Sequence, residues 1–203
     1  MNYKSLIIAG LFIPLLTLSD CKSKNEKGKE AGLAVLHNPD STGKGPVMSI
    51  HEAALDGQIS HVQKLLADGI IVDTLDPENR TALMYAAYNG HTDLIKTLIE
   101  NGAAVNMQDI YGRTALMMAS SGPYPSAVKM LLDHYADPNI KDKEEHFTAL
   151  MYAAAEGQLD VVKILISYRA DPFLKDIDGD DAITFAGNNG HKEVSDFLRS
   201  LKK

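Results

Sequence analysis

A single cysteine, Cys21, is all the thiol the chain has, and that scarcity excludes an intrachain disulfide and a cysteine-built zinc site. Positive charge is also short: 20 Lys and Arg stand against 27 Asp and Glu, a net charge of −7. The shortage is local. Residues 48–203 hold fourteen basic against twenty-three acidic groups, whereas residues 22–47 hold five Lys against three acids. A nucleic-acid backbone needs clustered Lys and Arg on one face, so DNA and RNA are not expected partners. No Ser-His-Asp or Cys-His set, acid-base carboxylate pair or phosphate-cradling glycine loop stands out, so no catalytic site and no cofactor are expected. What remains is 203 residues of 45% hydrophobic composition, enough for one folded domain and a tail.

The tail comes first. Lys4 precedes an apolar run, Leu6 to Leu18, broken only by Thr17 and carrying Pro14. Such a run falls short of the roughly 20 apolar residues of a spanning helix and reads as a secretory signal peptide. It ends Leu18-Ser19-Asp20-Cys21, which resembles the lipobox of bacterial lipoproteins at Leu18, Ser19 and Cys21 and departs from it at Asp20. The resemblance implies removal of residues 1–20 and a lipid on Cys21, the membrane being reached through that lipid. Ordinary cleavage after Ser19, giving a soluble periplasmic or secreted protein, is the alternative. Lys22 stands where enteric lipoproteins retained at the inner membrane carry Asp, which implies the outer membrane. Residues 21–47, rich in Lys, Ser, Asn, Gly and Pro, read as a flexible tether.

The remainder is organised by a recurring phrase. Thr81-Ala82-Leu83-Met84-Tyr85-Ala86-Ala87 returns at Thr114 to Ser120 and at Thr148 to Ala154. Copies thirty-three and thirty-four residues apart have the period of a helix-turn-helix repeat. Aligned on the phrase, 48–203 divides into units 48–75, 76–108, 109–141, 142–175 and 176–203. The pattern resembles the ankyrin repeat, with Asp and Gly before the phrase, a Gly-His joint at Gly90-His91 and a closing Gly at Gly69 and Gly102. The resemblance implies an all-α solenoid of about five helix-turn-helix units with β-hairpin fingers. Atypical end units fit, since each terminal unit has only one neighbour.

Several positions carry their own physics. Thr81, Thr114 and Thr148 can cap the inner helices. Tyr135 and Arg169 stand where Gly69 and Gly102 end an outer helix in the left-handed conformation, where a Cβ costs about 1 kcal/mol. Met84, Met117 and Met151 replace the family's His and read as core filling; oxidant or copper protection by these thioethers is the alternative. His51, His91 and His191 fall on structural positions, and no His pair has zinc-helix spacing. Asp176 to Asp181 fits a turn better than a calcium loop, because an EF-hand's sixth-position Gly and twelfth-position Glu are missing. Pro123 and Pro125 stiffen the third joint and leave Tyr124 exposed by expectation.

By resemblance, the protein is a non-enzymatic scaffold, acting as a monomer, that binds a protein partner through its fingers and inner-helix face. The positions carried over are Glu78, Arg80, Tyr88 and Asn89; Gln108, Ile110, Tyr111, Arg113 and Ser121; Lys141, Lys143, Glu144, His146 and Glu156; and Lys175, Ile177, Asp178, Asp180, Asn188 and Asn189. Tyr111, flanked by Ile110 and Arg113, is the leading hot spot, because aromatic and Arg side chains dominate interface energies.

Overall fold

The computed structural model describes residues 48–201. Cys21, the apolar run and the tether therefore lie outside the described residues. Among the described residues ten helices follow as five hairpins: α1 (Ile50–Leu55) with α2 (Ile59–Ala67), α3 (Ala82–Tyr88) with α4 (Thr92–Glu100), α5 (Ala115–Ser120) with α6 (Pro125–Asp133), α7 (Ala149–Ala155) with α8 (Leu159–Ser167), and α9 (Ala182–Asn188) with α10 (Lys192–Ser200). Among the described residues no helix is long and apolar enough to cross a membrane.

Each inner helix, α3, α5 and α7, starts where its threonine takes over an otherwise orphaned amide. The hydroxyls of Thr81, Thr114 and Thr148 accept the N–H of Met84, Met117 and Met151 at 3.3, 3.3 and 3.4 Å, each bond contributing about 1 kcal/mol. Ser49 and Asp181 do the same for the two end units, Ser49 within a capping box closed by Glu52. Past the cap the phrase turns inward. Ala82, Ala86, Ala87, Ala115, Ala119, Ala149, Ala153 and Ala154 are buried, and the small side chains let neighbouring backbones approach. Leu83, Leu116, Leu150 and Ile183 fill the seam between units, joined by Met84, Met117 and Met151, each at most 2% exposed. The thioethers are core.

Outer helices present an apolar stripe to the same core, as Leu94, Ile95 and Leu98 do from α4 and Val161, Val162 and Leu165 from α8. Inner helices pack on their neighbours more closely than outer helices do. A two-layer stack with one tighter layer curves, and the inner helices take its concave side.

The outer helices end alike. Tyr135 N–H donates to Leu132 C=O and Ala136 N–H to Leu131 C=O, and the same crossed pair recurs at Gly69, Gly102 and Arg169. This closure needs a left-handed residue, and Tyr135 (φ 65°) and Arg169 (φ 66°) adopt it beside Gly69 (φ 93°) and Gly102 (φ 89°).

Two expectations are corrected. Among the described residues the fingers contain no strand. Each finger closes through a backbone bond across its base, such as Asp76 N–H to Arg80 C=O, with a turn bond inside it in three of the four, as from Asn79 N–H to Asp76 C=O, and meets the next finger through one more, as Ile110 N–H does at Glu78 C=O. Other finger amides turn to an aspartate carboxylate, so no ladder develops. Tyr124 is half-buried rather than exposed. Its ring lies over Gly90, where an added Cβ would stand 2.3 Å from the ring carbon, so only glycine leaves it room. Tyr124 thereby replaces the histidine of other joints, where His91 Nε2 donates to Leu55 C=O at 3.0 Å and His191 Nε2 to Ala155 C=O at 2.9 Å.

Candidate functional site

Four aspartates build the finger edge. Asp76 accepts the amides of Glu78 and Arg80 on Oδ1, and the Arg80 guanidinium and Tyr85 hydroxyl on Oδ2, all within 2.7–2.9 Å. Asp109 repeats the arrangement with the amides of Tyr111 and Arg113 and the Arg113 guanidinium. Asp142 holds the amides of Glu145 and Phe147 and the Tyr152 hydroxyl. Asp176 holds those of Asp178 and Asp180. Each carboxylate satisfies loop amides that lack helix or sheet partners.

Charge follows from this geometry. Burial alone would raise the Asp76 carboxyl, but the bonds from the Arg80 amide, the Tyr85 hydroxyl and the Arg80 guanidinium outweigh it and hold the carboxyl below its ordinary value. Burial, reinforced by the same carboxylate, pushes the Tyr85 hydroxyl far above its usual range. Tyr152 is raised in the same way, by burial first and then by Asp142. Both phenols stay neutral donors.

One left-handed residue turns each finger: Asn79, Gly112, His146 and Gly179. In the fourth unit that residue comes four positions after the aspartate instead of three, so the inserted residue lies among Lys143, Glu144 and Glu145. His146, a candidate contact, thus also sets the bend. Phe147 takes the place of Arg80 and Arg113, is buried, and packs edge-on against Tyr152 and Phe185.

The proposed contact positions separate into two groups. Ile110, Lys143, Glu144, His146, Glu156, Lys175, Ile177, Asp178 and Asn188 are exposed along the fingers and the ends of the inner helices. Glu78, Tyr88, Tyr111, Ser121 and Asp180 are half-buried beside them.

Other positions serve the scaffold. Arg113 is 9% exposed, ion-paired to Asp109 at 2.7 Å, with its guanidinium 4.7 Å from the centre of the Tyr111 ring. It is corrected from an exposed contact to the residue that positions Tyr111. Asn89 and Asn189 donate to the carbonyls of Leu55 and Ala155 in the preceding unit. Gln108 donates to the carbonyls of Gly112 and Lys141, and Lys141 Nζ to that of Lys175. Arg80 is half-buried and spans Asp76 and Glu78. For Asn89, Asn189, Gln108 and Lys141, joining units accounts for the polar atoms, while Arg80 and Arg113 brace their own fingers.

Staples of the same kind on the loops after the outer helices escape a local reading. Asn106 accepts the Asp137 amide and donates to Tyr135 C=O; Asn139 does the same with Asp171 and Arg169. Asp73 accepts the Ala104 amide. The signal was available: aligned by period, Asp73, Asn106 and Asn139 share one position.

Among the described residues no group of three or more His, Cys, Asp or Glu is set to hold a metal. The best-defined cavity is a cleft beside the third and fourth fingers, lined by Tyr111, Arg113, Asp142, Glu144, Glu145, Phe147 and Tyr152. It leaves only about 10 Å³, no more than one water needs. Among the described residues the candidate site is therefore an open face with one shallow cleft.

The family described as Ankyrin repeats (3 copies) matches residues 50–142 and again 140–202. No curated protein sequence matches the chain significantly.

Proposed function

The chain belongs to the ankyrin repeat family, and from that premise we propose a five-unit scaffold that binds a protein partner through its fingers and concave inner-helix face, held at the cell envelope by a lipid on Cys21. Ankyrin repeats form a protein-interaction module and a non-enzymatic scaffold. One observation carries the choice of face. What the copies share, Thr-Ala-Leu-Met, is buried in every copy, while the fingers and inner-helix ends beside it carry exposed residues that change from copy to copy. A repeat that spends its common residues on packing leaves its differences free for recognition. Ile110, 42% exposed, and Tyr111, propped by Arg113, form the anchor at the centre of the row.

The envelope assignment rests on the single cysteine at the end of the apolar run. Several acyl chains hold a protein firmly where one holds it marginally, since each buried CH₂ contributes about 0.8 kcal/mol. Asp20, the departure from the lipobox, favours the second reading, cleavage after Ser19 and a soluble exported protein.

One experiment addresses both parts. Full-length protein in its native envelope is crosslinked, fractionated and compared with Ile110→Ala/Tyr111→Ala and Cys21→Ala variants. The double variant should lose the crosslinked species and keep its melting curve. Cys21→Ala should move from the membrane to the soluble fraction. Unchanged crosslinking would sink the binding face, and unchanged fractionation would sink the lipid anchor.

A further inference from the structure

The acidity of the folded part lies almost wholly on one side. Along the fingers and inner helices (49–56, 75–89, 108–121, 141–156 and 175–189) Asp and Glu exceed Lys and Arg by eight; over the rest of 48–203 they exceed them by one. The distribution within that side is uneven too. The third-unit stretch is neutral, while the fourth and fifth together carry a net charge of −5.

Most cations on this side are already engaged. Arg80 is paired with Asp76 and Glu78, Arg113 with Asp109, and Lys175 with Asp181 at 2.8 Å. Lys141 Nζ donates to Lys175 C=O at 2.6 Å. Glu144, Glu156 and Asp178 are exposed, and Ile177 beside them is 54% exposed. An apolar anchor at Ile110 and Tyr111 on the neutral third unit thus lies next to an acidic half.

Resting on the protein-binding reading, we propose that this face takes a cationic segment of its partner, apolar where it crosses the third unit and rich in Lys and Arg where it crosses the fourth and fifth. Charge complementarity selects the occupant. An acidic segment would be repelled along the C-terminal half, and a purely apolar one would cover the exposed Glu144 and Glu156 with no charge to meet them. Spacing sets the pattern. Neighbouring helices pack at roughly 8–10 Å. In an extended segment, rising about 3.3 Å per residue, basic side chains therefore fall about three and six positions beyond the apolar anchor.

The probe is a displayed library of random twelve-residue peptides panned on the full-length chain. Recovered sequences should be enriched in Lys and Arg following an apolar or aromatic residue, and depleted in Asp and Glu. A synthetic copy of the best binder, followed by fluorescence anisotropy, should lose affinity about tenfold on Glu144→Lys/Glu156→Lys/Asp178→Lys. It should keep its affinity on Asp68→Lys/Glu100→Lys/Asp196→Lys, which changes net charge equally on the outer helices, with helical circular dichroism checked for both. Equal weakening by the two triple variants overturns the proposal. Recovered peptides with no basic bias overturn it while leaving the protein-binding reading in place. Failure to enrich any peptide removes both.

Discussion

Replacing Tyr135 or Arg169 by glycine should make the protein more stable. Both residues hold left-handed backbone, φ 65° and 66°, at the close of an outer helix. A side chain there costs about 1–2 kcal/mol. Glycine removes that strain but gives back about 0.5–1 kcal/mol through the greater freedom of its unfolded chain. Taking the middle of each range, about 1.5 against about 0.75 kcal/mol, the gain is about 0.75 kcal/mol per site, or roughly 1.5–3 °C in Tm for a domain of about 150 residues. Packing does not offset it, because Tyr135 is 90% exposed. The staples survive as well, since Asn106 and Asn139 address the carbonyls of Tyr135 and Arg169 and not their side chains. Urea and thermal unfolding followed by circular dichroism at 222 nm would measure the change. The double variant should show the two gains added to within about 0.5 kcal/mol. Gly102→Ala, the reverse exchange at an equivalent position, should lose about 1 kcal/mol. Unchanged or lowered stability in both glycine variants would refute the strain account.

Arg113→Ala should lower stability by about 3 kcal/mol, because it leaves Asp109 buried without its cation, whereas Arg80→Ala, at a more exposed pair, should cost about 1 kcal/mol; comparable losses in urea melts would show that burial does not separate them. Asp76→Asn should cost about 2 kcal/mol at neutral pH through the lost charged hydrogen bonds. The Asp76 carboxyl is held below its ordinary value of 3.8 in the fold, so its contribution is complete above that value and fades as pH falls through the folded one. The gap between variant and parent should therefore close as the pH falls below 3.8 and on through the lowered folded value, and an undiminished gap at the acid end would refute it.

The helices, their threonine caps, the left-handed Tyr135 and Arg169 and the buried methionines were all legible, because each is fixed by its place in a unit that repeats along the chain. A repeated sequence supplies its own controls: Gly102 shows what Tyr135 must do. Side chains that act across a unit boundary were harder. Asn89, Asn189 and Gln108 look like surface polar residues when read locally. Asn89 finds its acceptor 34 residues away. Arg113 pairs within its own unit, but it lines a cleft with Asp142, Glu144 and Phe147 of the next. Tyr124 was misjudged for the same reason, since the glycine it covers belongs to the preceding unit. The strands implied by resemblance failed at a finer level, where the aspartate carboxylates took the amides a ladder would have used.

Nearly all the staples between units share one property: they grip main chain. His91 and Asn89 reach Leu55 C=O, His191 and Asn189 reach Ala155 C=O, and Asn106 and Asn139 take an amide and a carbonyl from the loop ahead. A neighbour recognised by its backbone can carry almost any side chains at those points. Copy number is then free to drift by whole units, through unequal recombination between near-identical phrases, without the adjoining copies having to co-adapt. Phe173, standing where Asn106 and Asn139 reach forward, marks where that forward chain of asparagines stops. Lineages of this gene should therefore differ in length by multiples of about 33 residues more readily than by single insertions.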